Sequence, residues 1–128
     1  MSLLKVLLIS ALLAAAVQAA EAPKYFVLIY GRGPAWKADL PMKDQGLGPH
    51  AHYMKELRDG NILFAAGPLD ADGGMIILKA ADREAVSAIM EHDPAIQAGL
   101  FIGQIHSWAA AFEAGVAPSA FLNQGKPQ

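Results

Sequence analysis

Apolar and polar positions switch between strand-like and helix-like spacing along the chain, and that switching predicts six elements. Tyr25 to Tyr30 (Tyr-Phe-Val-Leu-Ile-Tyr) is aromatic and β-branched, bounded by Pro23 and by Gly31-Arg32-Gly33-Pro34, and reads as a strand. A loop punctuated by Gly and Pro follows to about Leu47. Pro49 occupies a first helical position, and His50, Tyr53, Met54 and Leu57 recur at i, i+3, i+4 and i+7, so one helix is expected to run until Gly60-Asn61. Ile62 to Ala66 reads as a second strand ended by Gly67-Pro68, Asp70 to Gly74 as a turn, and Met75 to Leu78 as a third strand that completes a hairpin. Asp82 is placed to cap a second helix with Ala85, Val86, Ile89 and Met90 as its apolar stripe. Pro94 ends that helix and leaves Asp93 at its terminus with a side chain free to point elsewhere. After a turn to Gly99, Phe101 to Trp108 supplies a fourth strand.

The order β-α-β-β-α-β predicts an α+β, ferredoxin-like fold: a four-stranded antiparallel sheet with two helices on one face. Such a sheet, open to water on its other face, should alternate apolar and polar residues. Instead Tyr25 to Ile29, Ile62 to Phe64 and Met75 to Leu78 are apolar at both parities, so both faces require cover. Helices cover one. The other is expected to meet a second copy of the chain in a sheet-on-sheet homodimer, or else a C-terminal tail carrying Phe112, Val116, Phe121 and Leu122.

Residues 1–20 change how the composition is read. Lys5 gives a positive start, Val6 to Val17 is apolar apart from Ser10, and Val17-Gln18-Ala19 is a small-residue cleavage pattern, so this stretch reads as a secretory signal peptide. The apolar run is shorter than the roughly 20 residues of a membrane span, and no stable anchor is expected after cleavage. The expected organisation is a leader at 1–20, a single domain at 21–112 and a tail at 113–128, with the mature protein periplasmic or secreted. The 54% apolar content of the 128 residues is therefore partly leader, though enough remains for a core. Losing the leader removes Lys5, one of 10 basic residues, and none of the 12 acidic ones, so the net charge moves from −2 to near −3. With no basic run, nucleic acid is a poor partner. With no cysteine, disulfides, thiolate metal sites and a thiol nucleophile are excluded.

The segment from His50 to Pro68 (His-Ala-His-Tyr-Met-Lys-Glu-Leu-Arg-Asp-Gly-Asn-Ile-Leu-Phe-Ala-Ala-Gly-Pro), the Gly-rich hairpin, Asp93-Pro94, Ala98-Gly99-Leu100 and the closing strand together resemble the YCII-related proteins. The resemblance covers roughly residues 24 to 110. It implies a dimeric α+β barrel and an active site built on a His with an Asp, and on that pattern His50 and Asp93 are the matching residues. Where the family usually has a glycine before the second strand, this chain has Asn61, which also tolerates left-handed geometry. The long loop over 31–45 and the exported setting are less typical of the family.

Candidate chemistry centres on the same pair. His50 falls in the first turn of its helix, where the dipole favours a neutral ring, and a neutral imidazole is a base. An Asp93 carboxylate accepting from one ring nitrogen would fix the tautomer and free the other for substrate. Each residue also has a plainer role: His50 packing on the Tyr53, Met54 and Leu57 stripe, and Asp93 bonding local backbone. Tyr30 is either a phenolic proton donor or core filling, and Arg32 either binds a substrate carboxylate or is a solvated loop charge. Pro68 is expected beside the substrate, and Trp36 is either a lid or a loop anchor. His52 lies about 200° around the helix from His50, and neither His92 nor His106 completes a metal-ligand spacing, so no metal is expected. Gly31-Arg-Gly-Pro lacks the frame of a phosphate loop, and no Ser sits in a nucleophile elbow. What survives is cofactor-free proton transfer on a small molecule, namely isomerisation, elimination or ring opening. Two other readings are a dimer that binds a small ligand without transforming it, and an accessory protein docking through its tail.

Overall fold

A computed structural model describes residues 24–115. The expected leader and the tail beyond residue 115 lie outside the described residues. The elements run β1 (Lys24–Arg32), a 3-10 turn (Met42–Asp44), α1 (Gly48–Asp59), β2 (Leu63–Leu69), β3 (Gly73–Ala80), α2 (Arg83–Glu91), α3 (Pro94–Gln97) and β4 (Phe101–Trp108). The strands form one antiparallel sheet in the order β2-β3-β1-β4. This is the ferredoxin-like arrangement, with the first and third strands at the centre and β2 and β4 at the edges.

Strand parity separates the sheet's faces. Phe26, Leu28 and Tyr30 of β1, Ile76 and Leu78 of β3 and Phe101 of β4 are buried, and they form the core with Val86 of α2 and Ala95 of α3. The opposite parity places Tyr25, Val27 and Ile29 beside Lys79, Ile77 and Met75 on one flank, and beside Trp108, His106 and Gln104 on the other. That second face is open. Met75, Trp108 and Ile102 are 39%, 42% and 60% exposed, and Phe64 and Trp108 both stand edge-on to Tyr25 at 6.0 and 6.2 Å.

Two prolines mark structure differently from the sequence expectation. Gly67-Pro68 does not close the second strand: β2 continues through it to Leu69, because β2 is an edge strand, where a residue without an N–H is tolerated. Pro94 does more than end the second helix. It opens α3, for which Asp93 is the N-cap, its carboxylate accepting from the Ala95 N–H at 2.9 Å. Asp93 is therefore anchored locally rather than left free. Asp82 caps α2 by accepting from Ala85 N–H at 2.8 Å, and Asn61 takes the left-handed φ of 58° at the α1 to β2 junction.

The loop between β1 and α1 is held at both ends. Gly33 and Ala35 donate to the carbonyls of Leu100 and Gly99, an approach so close that a Cβ on Gly33 would lie 2.2 Å from the Gly99 oxygen. Farther along, the buried Gln45 accepts from Lys37 N–H and donates to the carbonyls of Lys37 and Leu40, satisfying a turn that would otherwise bury unpaired backbone groups. The result is an ordered wall that sets Met42 and Leu47 against α1 and the sheet.

Candidate active site

His50 occupies the third position of α1, where the helix start aims it toward α3. Its Nδ1 lies 2.9 Å from Oδ1 and 2.8 Å from Oδ2 of Asp93, although 43 residues separate the two in sequence. Asp93 is fully buried, which for a carboxylate requires compensation by donors. Three converge on it: the Ala95 N–H on Oδ1, the Tyr30 hydroxyl on Oδ2 at 3.1 Å, and His50 Nδ1. One carboxylate thus starts α3, ties α3 to β1 and orients the ring on α1.

With Nδ1 donating to a carboxylate, Nε2 is the nitrogen left with a lone pair, and it has no hydrogen-bond partner among the described residues. The imidazole is 19% exposed and stands edge-on to Phe101, with ring centroids 5.8 Å apart. It lines a cavity of about 290 Å³ between α1, the Met42 to Leu47 wall and the β2–β3 hairpin. Apolar side chains dominate the lining, among them Met42, Leu47, Met54, Ile76 and Phe101, while Gly67, Gly73 and Gly74 supply bare backbone. Behind the ring, a second space of about 70 Å³ is lined by His50, Pro49 and Pro94.

Tyr30 is 2% exposed and lines the cavity, but its hydroxyl is engaged by Asp93. Glycines flank it on both neighbouring strands, Gly74 on β3 and Gly103 on β4. A Cβ at Gly103 would come within 2.6 Å of Met90 Sδ and 2.9 Å of the tyrosine ring, so the seat of the ring exists only because that residue is glycine. Burial, then the charge of Asp93 and the hydrogen bond to it, push the Tyr30 phenol well above its ordinary value of 10.0. The folded value being the higher one, this contribution to stability is complete below pH 10.0 and is lost as pH rises above it. Tyr30→Phe is expected to flatten the alkaline fall in stability, read as urea midpoints between about pH 8 and pH 11; equal falls in both proteins would contradict the assignment.

The remaining sequence candidates are distributed as follows. Pro68 lines the cavity. Arg32 does not: its Nε pairs with Asp72 at 2.6 Å across the hairpin tip, and its guanidinium lies 5.8 Å from the Trp36 ring centroid. Trp36 packs on Phe101 at 5.5 Å, outside the cavity lining, as a loop anchor. His52 faces Glu56, and His92 bonds the Ala88 carbonyl. Among the described residues, no group of three His, Cys, Asp or Glu side chains is arranged to hold a metal ion, and no helix is long and apolar enough to cross a membrane. Sequence reasoning missed the glycine floor, the Met42 to Leu47 wall and Phe101. The paired glycines at 73 and 74, read as turn material, were the available signal.

Fold and site together define a ferredoxin-like α+β domain with a His–Asp pair at one end of its helical layer. The chain belongs to the family of the YCII-related domain, whose model matches residues 24–109. Among solved structures it is similar to 5-chloro-2-hydroxyhydroquinone dehydrochlorinase from Burkholderia phenoliruptrix AC1100, in its complex with 2,5-dihydroxybenzoquinone. The two share 23% identity over 66% of this chain and 93% of that one, with a TM-score of 0.53, a likeness of fold. None of the curated proteins compared matches the chain.

Proposed function

We propose that this protein is a cofactor-free acid/base enzyme acting on a small organic molecule, with His50 as the proton-transferring group and Asp93 as its orienter. The observation that carries the reading is the Nδ1 contact of 2.8 Å to a fully buried carboxylate, made by a ring that lines a cavity of about 290 Å³. In the forward step Nε2 takes a proton from a substrate C–H or O–H, and the electron pair stays on the substrate. That pair then shifts a double bond, expels a leaving group or opens a ring, and Nε2–H returns the proton where one is needed. Asp93 stabilises the imidazolium throughout and keeps Nδ1–H in place.

The same proposal includes pairing of two copies through the open sheet face, and export to the periplasm or beyond after loss of residues 1–20. The apolar character of that face supports the first, and the leader-like pattern of the sequence supports the second. Because the dehydrochlorinase of similar fold acts on a hydroxylated ring, small hydroxylated ring compounds are the first substrates to screen. His50→Ala is expected to lower kcat on any substrate found by about 10²- to 10⁴-fold with KM little changed. Unchanged turnover would reject the reading, and binding without product in the wild-type protein would make His50 a polar anchor.

A further inference from the structure

Charge is missing from the cavity in a way that restricts what can enter it. Of the 13 described residues lining it, none is Lys, Arg, Asp or Glu, and the two polar side chains among them are Tyr30 and His50. The Tyr30 hydroxyl is spent on Asp93, which leaves the His50 ring as the available polar side chain. On the flanking elements Arg32 pairs with Asp72 at 2.6 Å, Lys43 with Asp44 at 3.7 Å, and Lys55 and Arg58 share Asp59 at 2.8 and 3.3 Å, while Lys37 lies outside the cavity lining. Directly behind the ring stands the buried Asp93 carboxylate. The proposed pairing of copies uses the other face of the sheet, so the charge lining this cavity is set by the chain itself.

From this we propose that the substrate is a neutral, single-ring weak acid, with one ionisable O–H or activated C–H and no carboxylate or phosphate. The inference rests on the acid/base reading and adds the charge class of its substrate. A neutral acid enters without an electrostatic cost. When its proton moves to Nε2, the new anion forms against the new imidazolium, and the cavity gains no net charge. A permanently anionic substrate would lie near Asp93 with no cation in the lining and lose its hydration without replacement. Size points the same way, since about 290 Å³ suits one substituted ring and falls just below the usual range for larger ligands.

The test is a pair of probes with one ring and opposite charge class, methyl 4-hydroxybenzoate and 4-hydroxybenzoate, titrated into the 15N-labelled protein. The neutral ester is expected to bind at least about 10-fold more tightly than the carboxylate, shifting His50, Gly74 and Phe101. A Cβ at Gly74 would make only ordinary contacts, 3.6 Å to the Gly67 oxygen and 3.9 Å to Tyr30 Cβ, so side chains at this position fill the cavity rather than clash with the fold. Gly74→Ala should weaken the ester and Gly74→Leu abolish its binding; the alanine variant keeps the test intact should leucine disturb folding. Equal or tighter binding of the carboxylate, binding of neither probe at millimolar concentration, or ester binding indifferent to both variants would each overturn the proposal. The protonation state of His50, read in the same spectra, separates this from the parent reading. Carboxylate preference with His50 gaining a proton from bound ligand rejects only the charge class, whereas ester preference with an unmoved His50 rejects only the base.

Discussion

Asp93→Ala is expected to destabilise the protein by about 3 kcal/mol, more than any other single change at the site. Three donors lose their acceptor at once. The Ala95 N–H loses an N-cap, typically about 1 kcal/mol, and the Tyr30 hydroxyl and His50 Nδ1–H are left without a partner in a region closed to water, at about 1 kcal/mol or more each. For a domain of this size, the loss should lower Tm by more than about 10 °C. Asp93→Asn provides the contrast. Its amide oxygen can still cap α3, so most of the stability should remain, while its NH₂ donates to His50 Nδ1 and forces the proton onto Nε2. Stability near wild type with activity lost by a factor on the order of 10³ is therefore expected for Asp93→Asn. Thermal unfolding and turnover measured on both variants check this. An Asp93→Ala protein as stable as wild type would show that the carboxylate is not the joint between β1, α1 and α3.

Ile77→Glu is expected to convert the proposed dimer into folded monomers. Ile77 lies at the centre of the open face, paired across the sheet with Val27 and with Ala65, so in a single chain a glutamate there stays hydrated. In a face-to-face pair, each copy would bury one unpaired carboxylate near its symmetry mate, at several kcal/mol each. The dissociation constant should rise by at least about 10³-fold while the monomer keeps its fold. Native mass spectrometry or sedimentation velocity supplies the measurement. A wild-type protein that is monomeric at micromolar concentration, or an Ile77→Glu protein that remains dimeric, would place the cover of this face elsewhere.

The element order was legible in the sequence because short apolar, β-branched runs bounded by Gly and Pro alternate with stripes of 3.6-residue period, and Asp82 and Asn61 sit where capping and left-handed geometry need them. Boundaries failed at prolines. Pro68 and Pro94 were both read as stops, yet what a proline does depends on whether its strand is an edge and whether the preceding residue can cap, and only the sheet order and the Asp93 contacts reveal that. For the site, the residue types at 50 and 93 and the likeness to a family pointed to the pair, while their contact is a matter of tertiary placement. Tyr30 was singled out for its place at the end of an apolar run, but its bond to Asp93 spans 63 residues, and the glycine that admits its ring, Gly103, lies on another strand. Arg32 illustrates the opposite difficulty. A cation beside a candidate site looks like a substrate ligand until its carboxylate partner, 40 residues away in the chain, is found to be Asp72.

The tautomer of His50 is the most direct test of the proposed chemistry. Long-range ¹H–¹⁵N correlation spectra of the protein, recorded where His50 is neutral, should show the proton on Nδ1 and a bare Nε2, and Asp93→Asn should reverse them. A neutral wild-type ring carrying its proton on Nε2 would mean that no base faces the cavity, and the proposed function would fail with it.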